Sequence, residues 1–299
     1  MVPGRILVTG AAGFVGTHLM PALARAYPAA TLLNTTADVT DRAAIQAEIA
    51  AMAPDAVVHL AAIAAIGVAR QDPARAWAVN LHGTLNVASA LPPGATLLFA
   101  STSDLYGATF RTGHALDEGA TLAPLNTYAA TKAAADLALG AMAAEGLRVI
   151  RMRPFNHTGP GQTDAFVVAS FARQVARIAA GLQPPVLQVG ALDPLRDFLD
   201  VRDVCAAYAL VLGADLPAGT ILNVASGTPR RVGDVLHDLL AAAGVVAEIQ
   251  TDAGRLRPTD IPVAAGNAGA LRALGWAPTI PWAQTLSDTL ADWRHRIIA

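Results

Sequence analysis

Two residues near the middle of the chain are suited to moving a proton. Tyr128 and Lys132 lie four positions apart in Tyr-Ala-Ala-Thr-Lys, at the opening of an alanine-rich stretch that reads as a helix. On a helix that spacing puts both side chains on one face. A phenol with an ordinary pKa near ~10 is a poor acid or base at neutral pH until a neighbouring ammonium favours its anion. Lys132 would supply that field. Upstream, the run Thr96–Ala100 leads into Ser101-Thr102-Ser103-Asp104-Leu105-Tyr106-Gly107. Thr102 therefore stands at a strand end, where its hydroxyl can bind the oxygen that exchanges the proton. Asp104 adds a carboxylate to the same loop. A Tyr and a Lys four apart also occur by chance on a solvated helix face, so the pair gains its meaning from what surrounds it.

The elements around it alternate short apolar runs with alanine-rich helical stretches. The runs are Ile6–Thr9, Thr31–Leu33, Ala56–Leu60, Thr96–Ala100 and Arg148–Met152, with helices beginning near Val15, Arg42, Arg75 and Thr131. This is the pattern of βαβ units, and right-handed crossovers close it into an α/β, doubly wound parallel sheet of the Rossmann kind. Ligand chemistry then belongs at the strand C-termini. The first strand runs straight into Gly10-Ala-Ala-Gly13-Phe14-Val15-Gly16 and a helix. Glycines there let a pyrophosphate approach the helix N-terminus, and the strand-turn-helix setting favours dinucleotide binding over an ordinary turn. Asp38 and Val39 read in two ways, as a contact to an adenine amine or as part of a helix cap near Thr40-Asp41. The end of the second strand, Leu33-Asn34-Thr35-Thr36, offers neither a carboxylate for a ribose diol nor an arginine for a 2′-phosphate. NADH and NADPH are both expected to serve, with weak discrimination.

Beyond Arg153 the pattern changes to the Pro/Gly-rich segment Pro154–Gly161 and a helical run Phe166–Gly181. Signals typical of the first part return at Asp200–Leu212 and Ile221–Ala225. We expect a dinucleotide-binding domain of residues 1–153 and 200–225, and a smaller, mostly C-terminal substrate domain of 154–199 and 226–299. With 299 residues, 54% hydrophobic and 15% charged, the chain has ample material for one such core. A net charge of −2 with interspersed signs leaves no basic face for nucleic acid. No apolar run is long enough for a membrane span or a secretion signal, so neither membrane nor secretion is expected. The lone Cys205 reads as core in a reducing cytoplasm, and the scattered histidines predict no metal site.

Taken together, Thr9-Gly10-Ala-Ala-Gly13-Phe-Val-Gly16, His59-Leu60-Ala61-Ala62, Asn80-Leu-His-Gly83-Thr84, Thr102 and Tyr128/Lys132 resemble the extended short-chain dehydrogenases/reductases. The resemblance covers nearly the whole chain and adds Phe14, Val15, Leu60, Ala61 and Ala62 to the expected cofactor contacts. The second half is more specific. Arg153-Pro-Phe-Asn-His-Thr-Gly-Pro-Gly-Gln162, Phe166-Val-Val-Ala-Ser, Val189-Gly190 and Arg196-Asp-Phe-Leu-Asp-Val-Arg-Asp203 resemble the GDP-4-keto-6-deoxy-D-mannose reductases, which form GDP-D-rhamnose. That resemblance implies that Asn156 contacts the sugar diphosphate, although Asn beside Gly and Pro is also a turn former. It implies that Phe166 and Val167 start a segment along the nucleotide, and that Asp260 in Arg257-Pro-Thr-Asp260 lies near ribose hydroxyls. Arg196 and Arg257 are the best candidates for a diphosphate clamp, since a guanidinium donates two parallel hydrogen bonds; the alternative for each is a surface salt bridge. His157, in a Pro/Gly loop, is expected to be structural.

The implied reaction is reduction of the C4 ketone of a GDP-linked keto-deoxy sugar by NADPH or NADH, with Tyr128 as acid and Lys132 on the nicotinamide ribose. A 4,6-dehydratase or 4-epimerase shares the first hydride step, and a cofactor-sensing protein shares the fold. Asp104 separates the first of these, because GDP-mannose 4,6-dehydratases carry the longer Glu in the similar position as base for C5. A helix-helix homodimer is also implied by the resemblance.

Overall fold

In the computed structural model, which describes residues 2–256 and 261–298, the runs of β-branched and leucine residues are strands because both of their faces are buried. Along β1 (Arg5–Thr9), Ile6 and Val8 enter one hydrophobic cluster while Leu7 enters another. Successive strand side chains point to opposite faces, so a sheet covered on both sides needs apolar residues at every position. The chain continues through α1 (Phe14–Ala26), β2 (Thr31–Asn34), α2 (Arg42–Met52) and β3 (Ala56–His59). Then come α3 (Ile66–Gln71), α4 (Pro73–Trp77), a π-helical turn at Ala78–Gly83, α5 (Thr84–Ala90) and β4 (Thr96–Ala100). A 3₁₀ segment, Ser103–Thr112, precedes α6 (Thr127–Ala144) and β5 (Val149–Pro154).

The remainder runs β6 (Asn156–Thr158), α7 (Val167–Ala179), β7 (Val186–Val189), β8 (Leu195–Asp200), α8 (Val201–Leu212), β9 (Ile221–Val224) and β10 (Pro229–Arg231). It ends with α9 (Val232–Ala243), β11 (Glu248–Thr251), β12 (Val263–Ala264), α10 (Gly269–Ala273) and α11 (Trp282–Arg296). Six parallel strands form the main sheet in the order β2-β1-β3-β4-β5-β9. The return of the chain to add β9 beside β5 matches the signal at Ile221–Ala225. Helices α1 and α8 cover one face, and α2, α5 and α6 cover the other, which is a doubly wound arrangement. A second cluster joins α7, α9 and α11 against β7 and β8. The smaller sheet orders β10-β8-β12, with β6 also pairing β8 and β11 pairing β7 separately. Among the described residues no helix is long and apolar enough to cross a membrane.

Two expectations need correction. The helix placed near Arg75 is three short helices broken by a π turn: Asp72 ends α3 and caps α4 ahead of Pro73. The helix placed near Thr131 begins at Thr127, because Asn126 accepts a hydrogen bond from Ala129 N–H and so caps it earlier. The difference matters, since it puts Tyr128 in the first turn of α6.

The loop after β4 turns sharply at Gly107, with φ 47° and ψ −115°. A Cβ there would lie 1.9 Å from the carbonyl oxygen of Ala123. We predict that Gly107→Ala destabilises the fold by about 2 kcal/mol or more, from backbone strain plus the clash. Urea unfolding checks this, and a midpoint equal to wild type would show that the loop relaxes freely.

Candidate active site

Tyr128 and Lys132 project from the N-terminal half of α6 toward the C-terminal end of β4. Lys132 is 2% exposed, and its ammonium lies 4.1 Å from the centroid of the Phe99 ring. Desolvation pulls its pKa down to about 7, opposed by the carboxylate of Asp136 one turn further along α6. The half-buried Tyr128 phenol hydrogen-bonds the Thr102 side chain. Its pKa moves up, not down as an argument from a neighbouring ammonium expects. Burial is the main cause, the charge of Asp104 adds to it, and the Thr102 hydrogen bond works against it. The phenol therefore holds its proton throughout the neutral range. Thr102 is itself fixed, because its Oγ1 accepts from Asp104 N–H at 3.2 Å and so caps the 3₁₀ segment.

Beneath this pair lies a buried polar network that the sequence reading did not single out. Asp136 accepts from Ser101 Oγ at 2.7 Å, Arg153 Nη2 at 2.8 Å and Arg151 Nη1 at 3.1 Å. Arg153 also donates to Tyr106 Oη at 3.1 Å, and Tyr106 donates to Asn223 Oδ1 at 2.8 Å. The network joins β4, β5, α6, β9 and the loop that carries Thr102 and Asp104. One signal was available: Tyr128, Lys132 and Asp136 follow each other at intervals of four on one helix face. Next to Lys132 on α6, Thr131 accepts from Asn80 Nδ2 at 2.9 Å, which anchors the helix to the π turn.

The glycine turn forms where the sequence places it. A Cβ on Gly10 would sit 2.9 Å from Ala61 N, and one on Gly16 would sit 2.4 Å from the Ala11 carbonyl. These contacts let β1, α1 and the chain after β3 close together. Gly13 caps α1 without any side-chain hydrogen bond, so the helix N-terminus offers its amides outward. A dinucleotide diphosphate fits that cradle, since it meets backbone donors, the positive helix end and no side chain. Leu60 and Ala61 border it, with Ala61 N–H donating to Thr9 Oγ1 at 3.2 Å, and Ala62 follows them in the chain. His59, 1% exposed, lies between Thr9 Oγ1 at 2.7 Å and Thr84 Oγ1 at 3.0 Å. Burial, with the charge of Lys132, drops its pKa to about 3, so it is neutral. Thr84 donates to Asn80 O, which leaves its oxygen to accept from His59 Nε2–H and places the histidine proton on Nε2.

Of the two readings of Asp38-Val39, the cap belongs to Asp41, whose carboxylate accepts from Ala44 N–H. Asp38 accepts from the Thr40 amide and hydroxyl, and those bonds lower its pKa. Val39 is buried against Gly83, where a Cβ would fall 2.7 Å from its Cγ2. Phe14 stacks on the His157 ring at 6.2 Å, so His157 braces the glycine turn against β6.

Asn156 opens β6 and pairs with Phe198 of β8. Phe166 precedes α7, and Val167, its first residue, is exposed. Arg196 lies on β8 directly opposite Arg230 of β10 and donates to the carbonyl of Ile261 at 2.7 Å. Arg257 and Asp260 lie outside the described residues. The Pro/Gly segment between β6 and α7 is held from both ends of the chain. His18 Nε2 meets Pro160 O at 2.8 Å, Gly161 N–H donates to Asp292, and Arg296 donates to Gln162 O.

Comparison with known proteins bears on this geometry. The chain is 40% identical to GDP-6-deoxy-D-mannose reductase of Pseudomonas aeruginosa over 98% of each chain. It is 28% identical to GDP-6-deoxy-D-talose 4-dehydrogenase of Aggregatibacter actinomycetemcomitans, over 89% of this chain and 90% of the relative. The structure of RMD from Pseudomonas aeruginosa complexed with NADPH superposes with a TM-score of 0.90 at 39% identity, covering 98% of this chain and 99% of that one. Residues 6–225 match the family model described as NAD dependent epimerase/dehydratase family. The chain therefore belongs to the NAD dependent epimerase/dehydratase family, within the extended short-chain dehydrogenases/reductases whose motifs it carries.

Proposed function

We propose that this enzyme reduces the C4 ketone of GDP-4-keto-6-deoxy-D-mannose to give GDP-D-rhamnose, using NADPH or NADH. The observation that carries the proposal is the protonated Tyr128 phenol, hydrogen-bonded to Thr102 at a strand end with the Lys132 ammonium one helical turn away. The two GDP-sugar relatives support the substrate class, since both act on 6-deoxy sugars by name.

When bound, the dinucleotide would supply the hydride; Gly10, Gly13, Phe14, Val15 and Gly16 would hold its diphosphate, Asp38 and Val39 its adenine side, and Leu60, Ala61 and Ala62 its flank. Tyr128 gives its proton to the oxygen at C4. Thr102 binds the same oxygen and orients it. Lys132 holds the nicotinamide ribose and steadies the phenolate left behind. Asp104 raises the phenol pKa and keeps the proton in place, and as an aspartate it is one methylene shorter than the glutamate of the dehydratases it resembles. At the other end Arg196 and Arg257 would clamp the diphosphate beside Asn156, with Phe166, Val167 and Asp260 along the nucleotide.

In this reading residues 1–153 with 200–225 bind the cofactor, and 154–199 with 226–299 bind the sugar nucleotide. The enzyme acts as a cytoplasmic homodimer. The dimer is supported by exposed Val68, Trp77 and Leu137 on α3, α4 and α6, helices that pack side by side.

The test is incubation with GDP-4-keto-6-deoxy-D-mannose and NADPH or NADH. We expect stoichiometric cofactor oxidation and a 6-deoxy sugar, and no dehydration of GDP-mannose. Formation of a 4-keto-6-deoxy sugar from GDP-mannose without net cofactor use would instead assign a dehydratase.

For Tyr128→Phe we expect turnover to fall by roughly 10²–10⁴-fold with cofactor affinity nearly intact, because the change deletes a proton donor and little volume. Pre-steady-state rates beside cofactor titrations separate the two effects.

The pH profile follows from Lys132. Its ammonium is present below about pH 7 and is lost as pH rises through that value, while Tyr128 stays protonated. Reductive turnover should therefore decline above neutrality. Asp136→Asn removes the carboxylate that raises the Lys132 pKa, so the decline should begin at lower pH. A profile flat from pH 6 to 9 in both proteins would show that the charge on Lys132 is not required.

A further inference from the structure

The corner after β2 holds a charge that the local sequence does not. Thr35 extends the strand, its amide donating to Val8 O at 3.3 Å, and the chain then turns away through Thr36 and Ala37. Four donors of this turn converge on one carboxylate, that of Glu48 from the second turn of α2. Thr36 N–H and Oγ1 donate to Oε1 at 2.8 and 2.9 Å. The Thr35 hydroxyl and the Ala37 amide, at 3.3 Å for the latter, donate to Oε2. Two amides and two hydroxyls converging on one anion make the kind of cradle in which proteins also hold phosphate. Burial resists the charge on Glu48, yet the hydrogen bonds from Thr35, Thr36 and Ala37 outweigh it and keep the carboxyl below its ordinary range. Glu48 is an anion at neutral pH. Further along the same loop, Asp38 is held by Thr40 and feels the charge of Arg75.

In a doubly wound sheet the end of the second strand is where the adenosine ribose lies, and a 2′-phosphate is the one group there that distinguishes NADP from NAD. We infer that Glu48 is the residue that sets cofactor selectivity: its carboxylate fills the donor cradle that a 2′-phosphate would need, so the enzyme favours NAD(H) over NADP(H). The inference rests on the dinucleotide part of the proposed function and is independent of the sugar. It gives a direction to the weak discrimination expected from the strand end alone, since a charged side chain from α2 reaches this corner. Selectivity arises by occupation and repulsion, since a phosphate dianion must either displace Glu48 from four hydrogen bonds or lie against it. NADPH is disfavoured without being excluded.

The test is binding, measured by titration calorimetry with NAD⁺, NADP⁺ and 2′,5′-ADP as a probe that carries the phosphate without the nicotinamide. Wild type should bind NAD⁺ at least about tenfold more tightly than NADP⁺, roughly 1.4 kcal/mol. Glu48→Gln should shift that ratio toward NADP⁺ by about tenfold or more and strengthen 2′,5′-ADP binding, while NAD⁺ affinity stays within about threefold. Adding Thr36→Val to Glu48→Gln should reverse much of the gain, because it removes a cradle hydroxyl. Equal affinities in wild type, or a ratio unchanged by Glu48→Gln, would overturn the inference and leave Glu48 as a tie for the loop. A wild-type chain that binds neither dinucleotide would overturn the cofactor reading and this inference with it.

Discussion

The carboxylate of Asp136, fully buried inside the protein, is the point on which the catalytic end turns. Removing a carboxylate from water is tolerable only where other charges and donors replace the solvent. Asp136 receives Ser101, Arg151 and Arg153, and it faces the buried Lys132 along α6. The partners come from three places in the fold: Ser101 follows β4, both arginines lie on β5, and the lysine shares the helix. Satisfying one carboxylate thus fixes how α6 lies across the sheet. Breaking such a pair on one side strands the remaining charge, which typically costs about 3–5 kcal/mol.

The orientation of Tyr128 and Lys132 follows from that anchor. With α6 fixed, Tyr128 in its first turn reaches Thr102 at the end of β4, and Lys132 in the next turn has its ammonium over the Phe99 ring. Arg153 continues the network outward through Tyr106 to Asn223, so the loop carrying Thr102 and Asp104 is tied to the same point. Glu118 completes the tie by accepting from the Asn223 amide. The site is preorganised by hydrogen bonds that lie below it, which leaves its upper surface to ligands.

What could be read from the residues depended on whether the interaction was local. The strands of the main sheet were legible because the inner ones are apolar on both faces, whereas the short, partly polar strands of the smaller sheets were not, and the glycine turn was legible because a strand, three glycines and a helix follow in order. Tyr128 and Lys132 were legible from helical spacing. The start of α6 was displaced by the cap at Asn126, and the stretch near Arg75 hid a π turn whose Asn80 bonds to Thr131, 51 positions away. Glu48 was invisible for the same reason. It is an unremarkable helix residue until α2 folds back onto Thr35–Ala37, which a reading of the four residues Leu33–Thr36 at the strand's end has no means to anticipate.

The protonation pattern also explains how one site can hold two groups with opposed needs. Both side chains are driven toward neutrality by burial, but for a phenol neutrality means keeping a proton and for an amine it means losing one. Tyr128 is pushed up and Lys132 down to about 7, so at neutral pH the proton to be delivered is secure while the ammonium is only partly populated. Asp104 reinforces the first tendency and Asp136 resists the second. The two carboxylates thus act in the same electrostatic sense on different groups, each favouring the protonated form of its neighbour. In the proposed mechanism a site poised that way would have its donor loaded before the ketone arrives, and the ammonium would be most valuable once the phenol has given its proton and a phenolate needs a counter-charge. The resting charge state therefore suits proton delivery. Proton abstraction in the opposite direction would first require an ionised phenol beside Asp104, in a setting that burial disfavours.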